Sequence, residues 1–117
     1  MGWLARFRRR SLRELEPTDG PGMGIDLAAV YLHFADFAQS RRGVEAYLEP
    51  GTSVSAQSMV LVATDGEWTR RAVGSRAAAY DVTGRLGIPV YDVLLTGYPP
   101  RMREWSSRQR RGSKDSA

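Results

Sequence analysis

Four groups of side chains in this 117-residue chain have types and spacings that chemistry could use. His33 and Asp36 stand three apart, so on a helix they share a face, as metal ligands often do. A metal centre needs more ligands and the chain has one histidine, so the simpler reading is a helix residue without a metal. Glu45, Tyr47 and Glu49 alternate along a predicted strand and share one face, and Thr69 and Arg71 are expected to point the same way. Carboxylates beside arginines can do acid/base work, but cross-strand pairs are their commoner use. Tyr91, Asp92, Tyr98 and Arg101 gather at the end of the last predicted strand, with Arg103 just beyond, and predict a pocket there. Aromatic rings beside guanidinium groups suit base stacking with phosphate contacts; the plainer alternative is that Tyr98-Pro99-Pro100 packs the chain exit against the domain. The fourth group is the arginines near the two ends: Arg6, Arg8, Arg9 and Arg10, then Arg101, Arg103, Arg108, Arg110 and Arg111.

Those arginines change the meaning of the net charge of +4. Residues 1–16 carry +3, residues 101–117 carry +4, and residues 17–100 carry −3. Basic ends attract polyanions through a salt-screened, mostly sequence-independent term, so nucleic acid or the ribosome are the expected partners; a solubilising role is the bland alternative. Sixteen arginines against one lysine, with thirteen alanines and no asparagine, also look like the codon usage of a high-GC genome, which inflates the arginine count.

Absences narrow the chemistry further. There is no cysteine, which excludes disulfides, thiolate metal sites and cysteine nucleophiles. No Gly-x-Ser-x-Gly elbow, Walker motif or dinucleotide-binding Gly-x-Gly-x-x-Gly after a strand occurs, and no cofactor is expected. Arg8–Arg10 are not followed by an apolar run, so the start does not read as a signal peptide and the expected location is cytoplasmic. Trp3, Leu4 and Phe7 could make a weak contact with a membrane surface.

The elements that must position these groups follow from periodicity. Residues 1–16 form a basic segment, 17–25 a Gly/Pro linker, 26–105 one α/β domain and 106–117 a basic tail. Asp26 is placed to cap a helix carrying Leu27, Val30, Tyr31, Phe34 and Phe37 on one face, ended near Arg41 by Gly43. Val44–Glu49 alternates as a strand, and Ser58–Ala63 is apolar on both faces, as in a central strand. Asp65-Gly66 predicts a two-residue hairpin turn that pairs Ala63 with Trp68, Leu61 with Arg70 and Met59 with Ala72, with Trp68 and Ala72 on the core face. Ser75 caps a helix from Arg76 to Leu86, stopped by Gly87. Ile88–Leu94 is a further strand, and a short helix spans Arg101 to about Arg108. The order α-β-β-β-α-β predicts an α+β two-layer sandwich: a mixed four-stranded sheet, spatial order 3-2-1-4, helices on one face.

Four runs carry a resemblance: Gly43-Val44-Glu45-Ala46-Tyr47-Leu48-Glu49-Pro50, Asp65-Gly66-Glu67-Trp68-Thr69-Arg70-Arg71, Leu86-Gly87-Ile88-Pro89-Val90-Tyr91-Asp92 and Gly97-Tyr98-Pro99-Pro100-Arg101-Met102-Arg103. Across about residues 26–105 the chain resembles small uncharacterised proteins of high-GC actinobacteria, some of them described as oxidoreductases. The resemblance is compatible with the α/β fold read from the residues, leaves the function open and assigns no site residue. The residues themselves point to a non-enzymatic interaction module that binds nucleic acid or ribosome through its termini. A small enzyme or oxidoreductase-type accessory protein with a site at Tyr91–Arg103 is the alternative, and a homo-oligomer using an apolar edge or the Trp105 helix is a third.

Overall fold

The computed structural model describes residues 24–116. The N-terminal arginines Arg6, Arg8, Arg9 and Arg10, and the membrane-contact residues Trp3, Leu4 and Phe7, lie outside the described residues. The element order is α1 (Leu27–Ser40), β1 (Glu45–Glu49), β2 (Ser58–Val62), β3 (Trp68–Ala72), α2 (Arg76–Leu86), β4 (Val90–Asp92), α3 (Val93–Thr96) and α4 (Pro100–Ser116).

The helix starts form where the sequence supplies side-chain acceptors. Asp26 accepts the Ala29 amide at 3.1 Å and Ser75 accepts the Ala78 amide at 3.1 Å, each satisfying one otherwise unpaired donor of a first turn. Gly87 ends α2 in the left-handed conformation, φ 68°, with its amide returned to the last turn. Pro100 opens α4, where its missing N–H removes nothing. That helix runs to Ser116, well past the expected end near Arg108.

The sheet has the order β3-β2-β1-β4, antiparallel except for β1 with β4, which run parallel through the α2 crossover. Ala46, Leu48, Met59, Leu61 and Ala63 face α1 and α2 and join Phe34, Phe37, Val73, Ala79 and Val82 in the main core. Met59 and Leu61 are fully buried; burial of such a side chain contributes about 1.5–3 kcal/mol.

The opposite face holds Tyr47, Val60 and Val62, with Trp68 and Met102 packed on them. The expectation of helices on one face therefore holds for α1 and α2, while α4 lies on the other side of the sheet. An apolar patch of this kind needs a cover. The chain's own C-terminal helix provides it.

The hairpin register is one residue off the expected pairing. Trp68 lies opposite Val62, Arg70 opposite Val60 and Arg71 opposite Met59. No non-glycine residue has a positive φ among the described residues, so Asp65 cannot take the first position of the two-residue turn that Asp-Gly suggests. Gly66 alone is left-handed, φ 96°, and the loop is Thr64-Asp65-Gly66, closed by Ala63 N–H to Glu67 O at 2.8 Å and Gly66 N–H to Ala63 O at 2.9 Å. A slip of one residue exchanges the two faces of a strand. Trp68, Arg70 and Ala72 thus leave the main core side, and Thr69 and Arg71 move onto it, away from Glu45, Tyr47 and Glu49.

Candidate functional site

On β1, Glu45, Tyr47 and Glu49 project from the α4 side, and the parallel register sets Tyr91 of β4 beside Tyr47. The two rings lie 5.4 Å apart, tilted by 32°. The chain then turns through α3 and Gly97, and Tyr98 comes back over β1 to donate its hydroxyl to Glu49 Oε2. A groove of about 310 Å³ results, lined by Glu45, Tyr47, Tyr91, Thr96, Gly97, Tyr98, Pro99 and Pro100. Its scale suits one small ring system.

Each carboxylate at the groove is held by an arginine. Arg101 donates from Nη2 to Glu45 Oε1 at 2.6 Å and from Nε to the Ala63 carbonyl at 2.9 Å, and Tyr47 donates to the same Glu45 oxygen at 3.1 Å. Arg70 grips Glu49 with two bonds of 2.8 and 2.9 Å. The Arg101 guanidinium holds the Glu45 carboxyl below the usual carboxylate range, against the opposing effect of burial. Burial pushes the Glu49 carboxyl up, but Arg70 and Tyr98 together outweigh it and the net shift is downward. Burial and the neighbouring carboxylate raise the phenols of Tyr47 and Tyr98. Carboxylates shifted down and phenols shifted up are poorly matched to proton transfer near neutral pH.

The structure joins two groups that the sequence presented separately. Tyr91 and Tyr98 line the groove together with Glu45 and Tyr47, and Arg101 sits at its end, engaged by the fold. Asp92 does not line it: alternation along β4 turns it to the α2 side, where Arg76 pairs with it at 2.7 Å and holds its carboxyl low, and where it accepts the Leu94 amide at 2.9 Å. Arg70 does not line the groove but holds Glu49, which accepts from the Tyr98 hydroxyl, and only the shifted hairpin register brings it there. Gly97 and Pro99 belong to the Gly-Tyr-Pro-Pro run that composition marks as a loop, whereas Thr96 carries no sequence signal of its own and the turn places it.

His33 is elsewhere. Its Nε2 lies 2.7 Å from Thr69 Oγ1 and its Nδ1 lies 3.4 Å from Arg71, on the α1 side of the sheet. Burial, then Arg71, lowers its pKa, which favours the neutral ring. Among the described residues no group of three histidine or carboxylate side chains could hold a metal.

The C-terminal helix is fastened to the sheet at three further points. Trp68 Nε1–H donates to Ser106 Oγ at 2.9 Å, Arg108 donates to the Asp65 carbonyl at 2.8 Å, and the Arg101 backbone lies against Gly66 so closely that a Cβ there would stand 2.0 Å from the Arg101 carbonyl oxygen. Beyond Arg101, its arginines Arg103, Arg108, Arg110 and Arg111 are exposed and enter no ion pair with the described carboxylates. Among the described residues no helix is long and apolar enough to cross a membrane. No protein-family model matches the chain, and neither curated proteins nor solved structures yield a match to it.

Proposed function

We propose that the protein is a non-enzymatic binding module that docks nucleic acid on its C-terminal helix, with the N-terminal arginines Arg6, Arg8, Arg9 and Arg10 adding to the same electrostatic attraction. The observation that carries this reading is the contrast within α4. Arg101 is ion-paired inside the fold and Arg108 is tied to the Asp65 carbonyl, whereas Arg103, Arg110 and Arg111 are exposed and pair with no carboxylate among the described residues, on a helix seated on the sheet through Met102 and Ser106. Cations fixed in this way bind phosphates without first losing the freedom of a loose tail. The low-lying, arginine-bound carboxylates of the groove support binding rather than acid/base catalysis.

The test is the salt dependence of binding to RNA and duplex DNA. Each phosphate contact contributes about 0.7–0.9 to the slope of log K against log salt concentration. Replacing Arg103, Arg110 and Arg111 together by glutamine is expected to flatten that slope by about 2–3 and to weaken binding at low salt. An unchanged slope, or no binding by the intact chain, refutes the reading.

A further inference from the structure

We infer that the tyrosine groove receives one unpaired nucleobase from a strand whose phosphates lie along α4, so that the protein selects single-stranded over duplex nucleic acid. This inference rests on the helix reading above and adds to it a second kind of contact.

The geometry links the two surfaces. At 3.6 residues per turn, Pro100, Arg103, Ser107 and Arg111 fall within about 80° of one another on α4, with Glu104 beside Arg111 on the same side and Met102 and Trp105 on the opposite one. Met102 and Ser106 touch the sheet, so the arginine stripe points away from it. Pro100, at the head of that stripe, is also part of the groove wall. The stripe therefore begins at the groove's rim and continues for ~12 Å from Arg103 to Arg111 at 1.5 Å per residue. A strand leaving the groove meets Arg103 and then Arg111, passing Glu104 between them.

The groove has what stacking needs and little that reads base edges. Tyr98 and Tyr91 are 45% and 37% exposed, and the buried Tyr47 ring lies beside Tyr91. The polar groups are already engaged: Glu45 by Arg101 and Tyr47, and the Tyr98 hydroxyl by Glu49. Stacking on aromatic faces tolerates any base, because every base has a π-face. The expected ligand is thus a single strand of either nucleic acid with little sequence preference. A base still paired in a duplex cannot enter.

The experiment compares three probes against the full chain by fluorescence anisotropy at low salt: a labelled oligodeoxyadenylate, an abasic strand of the same length, and the corresponding duplex. The base-bearing strand is expected to bind about tenfold more tightly than the abasic one, and Tyr98→Ala is expected to remove that difference while leaving the salt slope in place. Equal affinity of the intact chain for the base-bearing and abasic strands, with strong salt dependence retained, overturns the groove inference and leaves the helix reading standing. Failure of both strands to bind overturns the helix reading and this one with it.

Discussion

Replacing Gly66 by alanine tests whether α4 is locked to the hairpin turn. Two separate penalties arise at this position. The backbone has φ 96°, a region that L side chains avoid, and an alanine there loses about 1–2 kcal/mol. The new Cβ would also stand 2.0 Å from the Arg101 carbonyl oxygen, 2.7 Å from its carbonyl carbon and 2.9 Å from Trp105 Cβ. The two main-chain contacts cannot be relieved by rotating a side chain, so the head of α4 must move. Movement loosens the Trp68–Ser106 hydrogen bond, worth about 1 kcal/mol, and the Met102 packing on Tyr47, Val60 and Val62. The total expected for Gly66→Ala is about 3 kcal/mol or more. Gly87 supplies the control. It is also left-handed, φ 68°, but a Cβ there meets nothing within 4 Å, so Gly87→Ala carries the backbone penalty alone. Urea unfolding followed by tryptophan fluorescence measures both. If the two variants lose the same stability, α4 is not seated against the turn, and the account of an arginine helix fastened to the sheet fails.

Two further outcomes follow from the same contacts. Glu45 and Glu49 have folded pKa values below their unfolded ones, so their ion pairs stabilise fully above the unfolded value, about 4.3, and that contribution disappears as pH falls through the lowered folded values; unfolding curves between neutral and strongly acidic pH should show the loss, and Glu49→Gln should reduce it. Trp68→Phe keeps most of the ring packing but removes the donor to Ser106, predicting a loss of about 0.5–1.5 kcal/mol in thermal or urea unfolding, and a loss several times larger would mean that the ring, rather than its N–H, secures the helix.

Local signals carried most of the element list. Asp26 and Ser75 cap helices where their side chains allow, Gly87 stops α2, and the apolar alternation of Val44, Ala46 and Leu48 marks the buried side of β1. The sheet order was also legible, because a three-stranded meander followed by a helix returns its last strand beside the first under the right-handed crossover rule. The hairpin register was not. Asp65-Gly66 is compatible with two loop lengths, and the choice rests on a single φ that leaves Asp65 in its ordinary range and moves Trp68 and Arg70 to the other face.

The charge distribution and the exclusion of cysteine-based chemistry belonged to the sequence alone, because composition and order suffice for them. Tertiary structure decided which arginines face solvent and which tyrosines meet. Arg101 and Arg103 are indistinguishable as letters two apart, yet one lies over the sheet on Glu45 and the other points away from it. Tyr47, Tyr91 and Tyr98 are scattered over fifty-odd residues, and only parallel pairing of β1 with β4, followed by the turn at Gly97, brings them to one groove. Local propensity acts over a helical turn or a hairpin, whereas a site of this kind is assembled by contacts far apart in the chain.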